Sequence, residues 1–224
     1  MTPPNLTAPR TPQHGWSVDA FKRFWADPDP ALVRPSIFAP DVVGDWPGNG
    51  QPVRAALDRF LRAHEPFPAV VIDRRWNLVA SNGPVELLTE GAAAELLAPP
   101  ANALRLTLHP EGMAPRIANL AEWSGHLLQR LRRQAAVTGD AELEQLHDEL
   151  ADYPGVVADP VRVEHADADI VLPLRLRVGD GELAFFSTVS TFGTAVDVTL
   201  AELSIEAFYP ADDATAAVLL RAAG

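Results

Sequence analysis

The sequence contains no cysteine in its 224 residues. This absence excludes disulfides, thiolate zinc sites, iron-sulfur clusters and a cysteine nucleophile. Long apolar runs are missing as well, since none approaches the roughly 18 residues that a membrane span requires. Residues 1–10 also lack the apolar core of a signal peptide. We therefore expect a cytoplasmic protein that makes no contact with a membrane.

Basic residues are few, and the 18 Lys and Arg side chains are outnumbered by 30 Asp and Glu, which gives a net charge of −12. The imbalance lies in the second part of the chain, because residues 139–224 carry 4 basic and 17 acidic side chains. Such a surface repels phosphate backbones, so we expect no direct nucleic-acid binding by this chain. The expected partners are a small molecule and either a second copy of the chain or another protein.

Motifs of catalytic or metal sites are also absent. The six histidines never form a spacing that is typical of metal ligands. No serine lies in a Gly-x-Ser-x-Gly elbow, and Gly179-x-Gly181 precedes a predicted strand, which indicates a hairpin turn and not a phosphate-binding loop. We therefore predict no catalytic residues, no metal and no cofactor, and hence a protein that is not an enzyme.

The chain divides into three parts by composition. Residues 1–15 are rich in proline and predict a flexible tail, residues 16–52 form an N-terminal extension, and residues 53–224 carry regular periodicity. The spacing of apolar residues changes from about 3.6 to 2 after the Tyr153-Pro-Gly turn. It predicts helices over 52–64, 115–137, 141–151 and 211–223, shorter helices within 82–108, and strands over 69–73, 76–80, 172–178, 182–192 and 201–209.

This order of elements predicts an α+β fold. Two strands precede the group of helices and three follow it, which favours a five-stranded antiparallel sheet with a helical layer. The layout is that of a PAS-like sensor fold, in which helices and one sheet face enclose a pocket. Asn82 is placed to cap the first of the short helices, because Pro84 suits the first turn.

Several ordered segments between about Val53 and Leu220 resemble the MmyB-like transcription regulator ligand-binding domain. The matching segments are Phe67-Pro-Ala-Val-Val-Ile-Asp-Arg-Arg-Trp-Asn-Leu-Val-Ala-Ser-Asn, Leu108-His-Pro-Glu-Gly, Asn119-Leu-Ala-Glu-Trp, Phe192-Gly-Thr-Ala-Val-Asp-Val-Thr-Leu-Ala-Glu-Leu and Phe208-Tyr-Pro-Ala-Asp. The resemblance implies a PAS-like domain that senses a small or fatty-acid-like molecule. Members normally follow a helix-turn-helix of the XRE type.

Residues 1–52 show no pair of helices with a basic recognition helix, so the DNA-binding half of that family is not found there. Instead, Phe24-Trp-Ala-Asp-Pro-Asp and Ala39-Pro-Asp-Val-Val-Gly-Asp-Trp-Pro-Gly resemble the opening of SnoaL-like proteins of the nuclear transport factor 2 fold. Only a short part of that fold is covered. This part is therefore either a SnoaL-like fragment or a linker.

A stripe on the long helix and one face of a later strand together predict a ligand pocket with an apolar lining and a few polar groups. The expected ligand-binding residues are Trp123, Leu127, Leu131, Phe185, Ser187, Val189, Thr191 and Asn82. The same stripes also fit a filled core. Three functions stay open: a sensor of a small apolar or amphipathic effector, a SnoaL-like enzyme or binding protein for a hydrophobic polyketide-like substrate, and a protein-interaction domain without a pocket.

Overall fold

The computed structural model describes residues 51–158, 171–191 and 202–222. The predicted tail and N-terminal extension lie outside these described residues, apart from the last two positions of the extension. The described chain forms an α+β fold, as the sequence predicts. Its seven helices are α1 (Gln51–His64), α2 (Val85–Thr89), α3 (Ala94–Leu97), α4 (Ala103–Leu108), α5 (Leu120–Thr138), α6 (Ala141–Ala151) and α7 (Asp213–Ala222).

Five strands form one antiparallel sheet in the order β2-β1-β5-β4-β3. The strands are β1 (Ala69–Ile72), β2 (Leu78–Ser81), β3 (Leu174–Val178), β4 (Gly181–Thr191) and β5 (Ser204–Pro210). Helices α2 to α6 lie between β2 and β3 in the chain, as expected of the PAS-like layout. In this strand order the last strand, β5, lies at the centre of the sheet. Its Glu206 pairs with Val70 of β1 on one side and with Val189 of β4 on the other.

Both faces of the sheet are covered, and each cover forms its own apolar cluster. Helices α2 to α6 cover what we call the inner face, where Leu128 and Leu131 of α5 pack in one cluster with Phe185 of β4. Helix α1 covers the opposite, outer face, and its Leu57 and Leu61 pack against strand residues that include Ile205. Because both faces are covered, all four residues of β1 are buried, whereas β3 alternates between buried and exposed positions.

Asn82 ties the outer helix to the sheet. Its side-chain oxygen accepts the Ala69 N–H at 2.9 Å, and its amide nitrogen donates to the carbonyl oxygens of Phe67 at 2.8 Å and Leu61 at 3.3 Å. The predicted helix cap at Asn82 was wrong, because these three bonds occupy the side chain. Helix α2 has Pro84 at its N-cap and no side-chain cap.

The longest helix begins later than predicted, at Leu120 and not near residue 115. The preceding backbone is used by the sheet edge, since Ile117 forms a bridge with Leu176 and the Ala118 N–H donates to the Arg175 carbonyl at 2.7 Å. The helix ends as predicted at Gly139, whose φ of 66° is the left-handed conformation that glycine adopts without steric penalty.

A charged cluster joins α4 to α6. The Arg105 guanidinium donates to both carboxylate oxygens of Glu149 at 2.7 and 2.6 Å, and the Tyr153 hydroxyl donates to the same carboxylate at 2.6 Å. The hydrogen bond from Arg105 lowers the pKa of Glu149, while burial, followed by the bond to Glu149, raises the pKa of Tyr153 to about 12. The cluster therefore holds α4 and α6 together within the helical layer.

Candidate functional site

A cavity of about 60 Å³ lies between the helical layer and the inner face of the sheet. Helices α2, α4 and α5 and strands β1, β2, β3 and β5 all contribute to its wall. The lining is mostly apolar and includes, among others, Val70, Trp76, Leu78, Val85, Leu88, Leu104, Trp123, Leu127, Leu174 and Phe208. Thr89, Thr107 and Glu206 are the polar residues of the lining. A mostly apolar wall with a few polar groups is the usual make-up of a small-molecule site.

Trp123 is a residue of this wall whose side-chain hydrogen-bond donor is unsatisfied. It lies in the first turn of α5, which is anchored to β3 because the Asn119 side chain donates to the Pro173 carbonyl at 2.8 Å and accepts the Arg175 N–H at 3.1 Å. The Trp123 side chain is 4% exposed, and its indole N–H has no hydrogen-bond partner among the described residues. An unsatisfied buried donor costs about 1–3 kcal/mol.

Trp76 shows the contrasting case in the same wall. Its indole N–H donates to the side-chain oxygen of Gln134 at 2.9 Å. The residue lies in the β1–β2 turn with a φ of 66°, and the Asp73 carboxylate holds this turn by accepting the backbone N–H groups of Arg75 and Asn77 at 2.8 Å each. The donor of Trp76 is therefore satisfied within the protein, whereas the donor of Trp123 is buried without a partner.

Glu206 is the one acidic residue in the cavity lining that the structure describes. It is 6% exposed, and its carboxylate oxygens lie 3.4 and 3.5 Å from the Arg130 guanidinium, which places this ion pair at the limit of hydrogen-bonding distance. The Arg130 guanidinium also lies over the ring of Trp76 at 4.4 Å from its centroid, as in a cation-π interaction. A charged pair thus borders an otherwise apolar space.

The family model of the MmyB-like transcription regulator ligand binding domain matches residues 53–222. The chain belongs to this family. The match confirms the resemblance predicted from the sequence and makes the chain a ligand-sensing domain of the kind found in transcription regulators. A search of curated proteins gives no match.

The MmyB-like domain brings two of the eight predicted site residues to the cavity wall, Trp123 and Leu127. Leu131 and Phe185 are fully buried in the cluster around the cavity without lining it. Asn82 is buried, and its side chain is bonded to backbone groups near α1 and β1.

The three remaining predicted residues lie in the distal half of β4. Ser187 and Val189 pair with Phe208 and Glu206, two residues of the cavity wall, but neither is itself part of the described lining. Val189 is 45% exposed, and Thr191 at the end of the strand is exposed as well. Beyond Phe185 the strand pairs with β5 and no longer with β3, and its last four residues are exposed.

Sequence reasoning missed most residues of the cavity wall in this MmyB-like domain, among them Trp76 and Glu206. Two signals pointed to them. A tryptophan in a tight hairpin turn is too large to stay unpacked, and a glutamate between Ile205 and Ala207 interrupts an apolar strand. Neither signal tells which face of the sheet encloses a cavity.

The described part of the chain holds no group of three or more His, Asp or Glu side chains that could bind a metal ion. Within residues 51–158, 171–191 and 202–222, no helix is both long and apolar enough to cross a membrane.

Proposed function

We propose that this MmyB-like domain senses a small, mostly apolar or amphipathic molecule that enters the cavity between α5 and the inner sheet face. The observation that carries the proposal is the mostly apolar cavity, whose wall includes Trp123, a residue with a buried and unsatisfied indole N–H. Such a wall suits an apolar body with one acceptor group, which includes the fatty-acid-like molecules that the family resemblance implies. The sensor acts in the cytoplasm and passes its change of shape to a second copy of the chain or to a partner protein, without binding nucleic acid itself.

The size of the cavity suggests how binding becomes a signal. At about 60 Å³ it is smaller than the roughly 150 Å³ of apolar space that admits benzene, and far below the about 300–1,000 Å³ of common ligand sites. An acyl chain fits only if the helices and the sheet move apart. The ligand then binds the expanded form better than the closed form and shifts the population towards it.

The alternative functions gain no support from the described residues. The SnoaL-like resemblance rests on residues 24–48, which lie outside them. A sheet in the order β2-β1-β5-β4-β3, with β2 and β3 at its edges, is an open sheet and not a barrel. An interaction domain without a pocket would have solid packing between α5 and the inner face, where the cavity lies.

Native mass spectrometry of the protein purified from cells tests the proposal. We expect a second mass above that of the protein alone, from a small molecule that is retained under native conditions and released on denaturation. The released molecule, identified by its fragmentation, should be mostly apolar. The proposal is wrong if the native protein carries no such molecule and if no small apolar compound raises its melting temperature.

A further inference from the structure

We infer that Gln134 of α5 is a latch that keeps the cavity closed until a ligand enters, and that breaking its hydrogen bonds releases the β1–β2 turn. This inference rests on the proposed function, because the latch controls access to the same cavity. The two ends of α5 are held to the sheet by different kinds of contact, and Gln134 spans the gap that must widen when a ligand enters.

The start of α5 is held to β3 through the backbone. The Ala118 N–H donates to the Arg175 carbonyl at 2.7 Å, and the Asn119 side chain forms two further hydrogen bonds with backbone groups at the same edge of the sheet. Ile117 forms a β-bridge with Leu176 just before the helix. Because these bonds attach the chain directly to the sheet, this end of α5 is its fixed end.

The C-terminal half of α5 is held by side chains. The Gln134 amide nitrogen donates to the Arg74 carbonyl at 2.6 Å, and its amide oxygen accepts the Trp76 indole N–H at 2.9 Å. A second link from this half, the ion pair of Arg130 with Glu206, is longer at 3.4 Å. Both bonds of Gln134 join α5 to the β1–β2 turn, which carries Trp76, a residue of the cavity wall.

A small movement of the helix breaks both bonds. The path along the helix from Asn119 to Gln134 is about 22 Å, so a tilt of about 5° at the fixed end moves Gln134 by about 2 Å. Bonds of 2.6 and 2.9 Å do not survive this displacement, since a donor and an acceptor more than about 3.5 Å apart no longer form a hydrogen bond. The closed form therefore has both bonds, and the expanded form that admits a ligand lacks them.

The turn that Gln134 holds is strained. Trp76 has a φ of 66°, a left-handed conformation that a bulky residue rarely adopts and that persists only where its surroundings enforce it. The Asp73 carboxylate enforces it through two backbone N–H groups of the turn, and Gln134 enforces it through the indole. When the bonds of Gln134 break, we expect the turn to change conformation and to move the exposed Arg74 at the surface of the domain.

Isothermal titration calorimetry of the full chain with decanoate and 1-decanol tests the latch. Gln134→Met removes both hydrogen bonds at nearly constant side-chain volume, and Gln129→Met is the matched control at an exposed position of the same helix. We expect Gln134→Met to bind about 3- to 30-fold more tightly than the unmodified chain, because the closed form that competes with binding loses two hydrogen bonds. Gln129→Met should bind like the unmodified chain.

The outcomes separate the latch from the proposed function. A purely structural role of Gln134 would lower the melting temperature of Gln134→Met without raising its affinity, and unchanged or weaker binding would overturn the latch and leave the proposed function standing. If neither compound binds to the unmodified chain or to either variant, the proposed function fails, and the latch fails with it.

Hydrogen–deuterium exchange of the unmodified chain decides the matter if Gln134→Met does not fold. The backbone N–H groups of Trp76 and Asn77 are both bonded to Asp73. Saturation with the tighter-binding compound should speed their exchange, whereas the Ala118 N–H at the fixed end should keep its rate. Slower exchange throughout the turn on binding would show that the ligand enters without releasing Gln134 and would refute the latch.

Discussion

One substitution, made at two positions one turn apart on α5, separates a cavity from a filled core. Leu127 lines the cavity, whereas Leu131 is completely buried in the same cluster and does not line it. We expect Leu127→Phe to place its added ring atoms in existing space and Leu131→Phe to force them into packed side chains. The first variant should therefore lose ligand binding and keep its stability, while the second should lose stability.

The size of the difference follows from packing density. Overpacking a close-packed core costs about 1–3 kcal/mol. For a protein of this length each kcal/mol lowers the melting temperature by about 2–4 °C, so Leu131→Phe should melt about 2–12 °C below the unmodified chain. Leu127→Phe should melt within about 2 °C of it, because the cavity of about 60 Å³ takes up the small increase in volume.

Differential scanning calorimetry measures both melting temperatures, and titration with a fluorescent fatty-alcohol probe measures uptake. The variant at Leu131 is the matched control, since it carries the same substitution on the same helix. Equal loss of stability in the two variants would show that the space at Leu127 is packed. Full uptake of the probe by Leu127→Phe would show that the ligand binds elsewhere.

Three further predictions concern the structure around the cavity and the partners of the chain. Asn82→Leu should reduce the free energy of unfolding by about 2–5 kcal/mol in urea titrations, because it leaves buried backbone groups without their partner; an unchanged value would contradict the role of Asn82 in joining α1 to β1. Glu149→Gln should lower the melting temperature at pH 7, and the difference should shrink as the pH falls below 4.5. The depressed pKa of Glu149 gives stability that is present above this ordinary value and is lost as the pH falls through the lowered pKa, and this partly exposed group contributes less than about 1 kcal/mol. The chain should retard no genomic DNA fragment in gel-shift titrations at low salt, and discrete bands at sub-micromolar protein would refute this.

Local sequence patterns predict the elements of this fold well where one face is buried. In β3, Leu174, Leu176 and Val178 are buried while Arg175 and Arg177 are exposed, as their alternation indicates. Local patterns mispredict an element boundary or a side-chain role where a contact with a segment distant in the sequence determines it. The start of α5 moved because the preceding residues bond to β3, and the cap at Asn82 failed because β1 uses its side chain. Both contacts join segments that are not adjacent in the sequence.

The candidate site was partly predictable, because local spacing shows which residues share a face of one helix or strand. Helical spacing places Trp123 and Leu127 on one buried stripe, and the structure puts both in the cavity wall. Alternation along β4 correctly places Val189 on the same face as Phe185, but it does not tell how far the helical layer extends over that face. The layer ends before Val189, which is 45% exposed.

The case of Glu206 shows what a strand pattern leaves undetermined. Alternation in β5 places Ile205 and Ala207 on one face of the sheet and Glu206 on the other. Both faces are covered, that of Ile205 and Ala207 by α1 and that of Glu206 by the helical layer. Glu206 therefore projects into an apolar layer, where burial of a charge is costly and Arg130 is its ion-pair partner at 3.4 Å. A residue that lowers stability in the middle of a central strand is typical of a functional position. Because it also lies in the cavity wall, we propose Glu206 as a residue that contacts the ligand.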